Sequence, residues 1–190
     1  MVAGVVLAVI LIAAIAVISM YNTLVRFRVT CKESWSDIDT ELQRRHDLIP
    51  NLISTVKGYA SHEKDLFEKV TELRNQAVDA KNDDPEKRAG VEDMLQGSVG
   101  KLIATAEAYP DLKANENFMQ LQNELGETET RIARARRFYN SNVRGFRTSV
   151  MTFPKNVLAG MFGFQASEFE FFEAGAGDRA PVEVDATDFS

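Results

Sequence analysis

Apolar and polar residues follow two regimes along this chain. Val2 to Met20 is an unbroken run of Val, Ile, Leu, Ala and other uncharged residues. As a helix at 1.5 Å per residue it spans roughly 28 Å, about one hydrocarbon core. No turn signal follows it. Large residues then recur in steps of three and four: Leu24, Arg28, Cys31, Trp35, Ile38, Leu42, Arg45, Ile49, Leu52, Val56 and Tyr59. A sustained period near 3.5 marks a helix packed along a seam. The pattern predicts one long helix from the apolar run to about Tyr59, kinked near 46–50 because Pro50 lacks the amide proton its turn requires.

Gly58 ends that helix, and Ser61 is expected to cap a second one reaching about Ala80, with Leu66, Phe67, Val70, Leu73 and Ala77 inward. Asp84 and Pro85 read as the cap and first residue of a third helix ending near Ala108. Its expected stripe is Val91, Met94, Leu95, Val99, Leu102, Ile103 and Ala106, and close helix approach would offset the cost of Gly90, Gly97 and Gly100. A fourth helix is expected from about Asp111 to Met151, with Phe118, Leu121, Leu125, Thr128, Ile132, Ala135, Tyr139, Val143, Phe146 and Val150 on its seam.

Short connections imply antiparallel neighbours. The expected fold is all-α: a transmembrane helix continuing into an antiparallel four-helix bundle, with Val150 returning close to the membrane beside Arg26. The organisation reads as an anchor at 1–20, the bundle at 21–152, a Phe-rich segment at 153–172 and an acidic tail at 173–190. In the tail, Val182 and Val184 could add a short extended strip on a neighbour, although composition alone reads as disordered.

Charge narrows the classes of function. Twenty-eight acids against 22 bases give a net charge of −6, which argues against a globally basic nucleic-acid binder. The single cysteine, Cys31, excludes an intrachain disulfide and a thiolate metal cluster, and suits a small seam residue. No Lys or Arg precedes Arg26, and Ser19-Met20-Tyr21-Asn22 is a poor cleavage site, so the run reads as an uncleaved anchor. Arg26, Arg28 and Lys32 on its C-terminal side then place Met1 outside and the bundle in the cytoplasm. Gly4 and Ala8 form one small-xxx-small pair.

Several stretches, in order and spacing, carry a resemblance. They are YNTLV (21–25), WSDID (35–39), QRRHDLIPNL (43–52), VKGYASHEK (56–64), AYPDLKANENF (108–118), LQNELGETETRIARARRFYN (121–140) and FPKNVLAGMFGF (153–164). Together they resemble the LemA family over nearly the whole chain. The resemblance implies a single N-terminal span, a four-helix bundle and the bacterial inner membrane. It implies no established reaction and transfers no catalytic residue. It also brings gene neighbourhoods rich in membrane zinc metalloproteases, and a magnetosome-associated branch.

The residues themselves offer few sites. Arg45 on the seam needs a carboxylate partner, and Glu124, Glu127 or Glu129 is expected to supply it. His46-Asp47 and His62-Glu63 lie on different helices without metal-pair spacing, so neither a metal nor a cofactor is expected. Arg131, Arg134, Arg136, Arg137, Arg144 and Arg147 suit a helix C-terminal half and pair with Glu127 and Glu129 at helical spacing. The sharper reading joins Arg144, Arg147 and Lys155 to Arg26, Arg28 and Lys32 in a basic collar facing lipid phosphates. Trp35 and Tyr59 read as core. Phe153, Phe162, Phe164, Phe169, Phe171 and Phe172 read as a cap over the membrane-proximal end of the bundle, or a contact for protein or lipid.

The functional expectation is a non-enzymatic, membrane-anchored scaffold or adaptor that self-associates and has the bilayer as a partner. An alternative is an accessory subunit of a membrane zinc metalloprotease. A distant one is a hydrolase using His46 and Asp47.

Overall fold

A computed structural model describes residues 1–173 of the chain. The acidic tail from residue 174, with Val182 and Val184, lies outside the described residues. Every described element is helical: α1 (Val2–Lys57), α2 (Lys64–Asp79), α3 (Pro85–Ala106), α4 (Pro110–Lys113), α5 (Glu116–Met151) and α6 (Lys155–Phe162). Short 3₁₀ turns follow α2 at Ala80–Asn82 and α6 at Ala166–Glu168. The chain has an all-α fold with a long apolar N-terminal helix.

The chain divides into two compact units. The first combines Met1–Leu48 with Asn123–Phe171. Here α1 and α5 run antiparallel, as three pairs along them show. Arg45 meets Glu129, Trp35 stacks on Tyr139 and Phe27 lies against Gly145. Numbers rise on one helix as they fall on the other. Continuing this register brings Val150 to the level of Leu24, the first buried residue of α1. The core of this unit is the heptad seam read from sequence: Leu24, Cys31, Ile38 and Leu42 with Ile132, Tyr139, Val143 and Phe146, all buried. Thr128 fits a seam position because its hydroxyl donates to the Glu124 carbonyl at 2.8 Å, one turn back.

The second unit contains Ile49–Gln122 and is built on α2 packed against α3. Phe67, Val70, Leu73 and Ala77 of α2 are buried, as the sequence pattern predicts. In α3 the buried line is Arg88, Glu92, Leu95, Val99, Leu102 and Ala106. This corrects the expected stripe: Met94 is exposed and two charged residues hold seam positions instead. Arg88 also reaches the Lys81 carbonyl at 3.3 Å, which carries part of its donor capacity into the connecting turn.

Three further expectations are corrected. Ser61 caps no helix; α2 begins three residues later and its N-cap is Glu63. Tyr59 is 44% exposed, because α1 ends at Lys57 and the helical period stops pointing side chains inward. Its hydroxyl accepts from Asn115 Nδ2 at 3.1 Å, and Ala60 is buried instead. The long fourth helix is two helices. Asn115 breaks it and caps α5, its Oδ1 accepting the Phe118 amide at 3.1 Å.

Gly97 and Gly100 sit in α3 with nothing within 4 Å of an added Cβ. Close helix approach therefore does not account for them.

Candidate membrane-proximal site

Several charged and aromatic groups of the first unit meet where α1 leaves its apolar run. Val2–Met20 is exposed throughout, apart from half-buried Ala16 and Met20, which are spaced by one turn in line with Leu24. By length and composition α1 is a helix able to cross a membrane. The α5 helix ends at Met151, level with the end of the apolar run. A cis Phe153–Pro154 peptide then leads into α6.

Gly163 ends α6 with φ of +72°, the left-handed region that glycine enters without a Cβ penalty. The Phe164 amide donates back to the Ala159 carbonyl at 2.9 Å, closing a Schellman-type cap. This turn splits the aromatic cluster. Phe164 is buried after the turn, and Phe162 is exposed before it. Both rings reach Tyr21 of α1 edge-on, at centroid distances of 4.9 Å for Phe162 and 6.0 Å for Phe164.

Arg28 is the hub of the arrangement. Its Nε and Nη2 both donate to Glu168 Oε2, at 3.0 and 2.7 Å. The guanidinium carbon lies 4.1 Å from the centre of the Phe164 ring. An arginine can hold a carboxylate edge-on and a ring face-on at once, which a lysine cannot. Arg147 makes a second clasp: Nε and Nη2 donate to the Phe169 carbonyl at 3.1 and 2.7 Å, and Phe171 lies beneath the guanidinium at 4.7 Å. Tyr139 donates to the Glu170 carbonyl at 2.8 Å. Three side chains of the helical pair thus fix an otherwise irregular strand of chain.

Of the six expected collar residues, Arg28 and Arg147 therefore hold the chain's own C-terminal segment. Arg26, Lys32 and Arg144 are exposed, and Lys155 is half-buried. Of the six phenylalanines, Phe164 and Phe172 are buried, Phe169 and Phe171 half-buried, and Phe153 and Phe162 exposed. Only the last two are open to a partner. Sequence reasoning missed Tyr21 and Glu168. The available signal was Glu168 itself, an acid placed amid phenylalanines, which needs a cation close by.

Burial sets the chemistry of the interior beside this site. Burial, and secondarily the Glu168 carboxylate, push the Cys31 thiol up to about 11. Burial also lifts the Tyr139 phenol well above the ordinary tyrosine range.

Farther along the same helical pair, Arg45 Nη1 donates to Glu129 Oε1 at 3.0 Å, with Arg45 buried and Glu129 27% exposed. Glu127 instead pairs with Arg131 at 3.1 Å on the outer face of α5, and Glu124 is half-buried. His46 is buried, whereas Asp47 is exposed and accepts from Gln43 Nε2 at 2.9 Å. Adjacent helix positions diverge, and these two do not converge on a common site. His62 is exposed. Among the described residues no group of three His, Cys, Asp or Glu side chains could hold a metal ion.

Among the described residues, fold and site define an all-α protein with one helix fit for a membrane anchor and with basic and aromatic side chains near the end of its apolar run. The LemA family profile matches residues 34–185, and the chain belongs to the LemA family. It is similar to magnetosome protein MamQ 2 of Paramagnetospirillum magneticum, 28% identical over 88% of this chain and 70% of that protein. MamQ of Magnetospirillum gryphiswaldense is 26% identical over 88% of this chain and 71% of its own. Protein LemA of Metamycoplasma hominis is 29% identical over 78% of this chain and 70% of its own.

Proposed function

We propose that this protein is a membrane-anchored scaffold or adaptor of the bacterial inner membrane, which self-associates and catalyses no reaction. The reading rests on the continuity of α1. An exposed apolar stretch and a packed seam occupy one helix, so the helical pair stands directly on its anchor. The exposed bases Arg26, Lys32 and Arg144 cluster by register near that junction. Each would contribute about 1 kcal/mol beside anionic phosphates. Bases on the C-terminal side of the apolar run, with none before it, support an orientation with the helical domain in the cytoplasm and Met1 outside. Two of the relatives are named as magnetosome proteins, names that state a place and not a reaction.

Membrane fractionation tests the anchor. The full chain should resist extraction at alkaline pH, and a version lacking 1–20 should be released. A protease added to intact inverted vesicles should reach the helical domain. Release of the full chain by alkali would remove the anchor, and protection in inverted vesicles would reverse the orientation.

A further inference from the structure

The short helix α6 is apolar on both sides. After Lys155 at its first position, Ala159 is buried, Leu158 is half-buried, and Val157, Met161 and Phe162 are exposed, with exposed Phe153 just before the helix. No charged residue occurs from Asn156 to Ser167. A helix apolar all round belongs in a protein interior or in lipid, and its outer side here has no cover from the described chain. Its level decides between covers. Phe162 meets Tyr21, the first residue after the apolar run, edge-on, and Ala16 and Met20 just before it are half-buried. The outer side of α6 is therefore continuous with the exposed face of the anchor.

We propose that α6 is an interfacial helix: Phe153, Val157, Met161 and Phe162 enter the headgroup and acyl boundary of the bilayer crossed by α1. The proposal rests on the anchor reading and adds a second membrane contact. In this arrangement the Arg28–Glu168 pair and the Gly163 turn hold α6 at the lipid surface. The helical pair then meets the membrane at two places, which fixes its tilt and rotation about the anchor.

The test uses the full chain in vesicles of phosphatidylethanolamine and phosphatidylglycerol. Single cysteines are introduced as Val157→Cys, Met161→Cys or, for the anchor, Leu11→Cys, and labelled with an environment-sensitive fluorophore. The parent protein, whose Cys31 is buried, gives the blank. All three positions are exposed, so the labels displace no core residue. Labels at 157 and 161 should be quenched more by nitroxides near the headgroups than by nitroxides deep in the acyl chains, and aqueous iodide should not reach them. The label at 11 should be quenched by the deep nitroxides. Iodide quenching at 157 and 161, with the label at 11 still in lipid, would overturn the interfacial helix and leave the anchor standing. Shielding of 157 and 161 from both lipid and iodide would overturn it in favour of a second protein surface. Failure of lipid to quench the label at 11 would remove the anchor and α6 proposals together.

Discussion

Gly145 of α5 lies against Phe27 of α1 so closely that an added Cβ would stand 3.0 Å from the ring's Cε1 atom. The missing side chain leaves the room beside α5 that the Phe27 ring occupies. Gly97 and Gly100 of α3 are glycines in helix interiors with open space around them. The two kinds of glycine should answer substitution oppositely. Gly97→Ala and Gly100→Ala should each stabilise by up to about 1 kcal/mol through helix propensity alone. Gly145→Val should destabilise by about 1–3 kcal/mol through overpacking against Phe27. Denaturant midpoints of the three variants check the contrast, which fails if all three move in one direction.

Arg45 and Glu129 are unequally buried, and their loss should be unequal too. Glu129→Gln replaces the carboxylate 3.0 Å from the buried guanidinium by a neutral amide. It should cost about 1–3 kcal/mol, less than for a fully buried pair because water still reaches position 129. Arg45→Met replaces a buried charge by a similar apolar volume and should cost less than Glu129→Gln. Equilibrium unfolding of both single variants and the double variant measures the coupling. A coupling near zero would show that the 3.0 Å contact carries no energy.

The Cys31 thiol is raised from 9.0 to about 11 by burial and then by Glu168. At neutral pH it should resist thiol reagents until the chain unfolds. Its linkage to stability follows from the sign of the shift. Between about pH 9 and 11 the unfolded chain gives up the proton and the folded chain keeps it, so stability falls as pH rises through that window. Tyr139, shifted the same way by burial, adds to the loss above pH 10. Urea midpoints at pH 8 and pH 10.5 should differ, and Cys31→Ala should reduce the difference.

The clasp on the C-terminal segment is local. Glu168→Gln should leave thermal unfolding nearly unchanged, since the pair is about one-quarter exposed and such pairs contribute at most about 1 kcal/mol. Amide exchange in residues 163–171 should nevertheless quicken. Arg28→Lys should quicken it as well, because an ammonium cannot replace both the paired donors and the ring contact. Gly163→Ala should act in the same place, with a penalty of about 1–2 kcal/mol for the left-handed conformation. Unaltered exchange in all three variants would mean that the segment is held by other contacts.

Much of this fold was legible because α1, α2 and α5 carry apolar residues at nearly every inward position. Arg45 and Thr128 hold seam positions that the period marks in spite of their polarity, but in α3 the period does not reveal the inward charges. Arg88 and Glu92 hold the seam of α3, and a pattern search assigned those turns to Val91 and Met94. It failed again where a helix ended early, turning Tyr59 outward. The break before α5 had a local signal, Asn115 followed by Glu116, which reads as a cap and an acid in the first turn. The membrane-proximal site was half legible. Composition marked the bases and phenylalanines, but the opposite exposures of Phe162 and Phe164 come with the positive φ at Gly163 between them. The pairing of Arg28 with Glu168 crosses most of the chain and leaves no periodic trace.

Native mass spectrometry of the full chain, released gently in its own lipid, tests the scaffold most directly. The account predicts a discrete homo-oligomer that retains lipid and persists on dilution. A monomer, or a one-to-one complex with a different membrane protein, would contradict self-association and make this chain the accessory subunit of that partner.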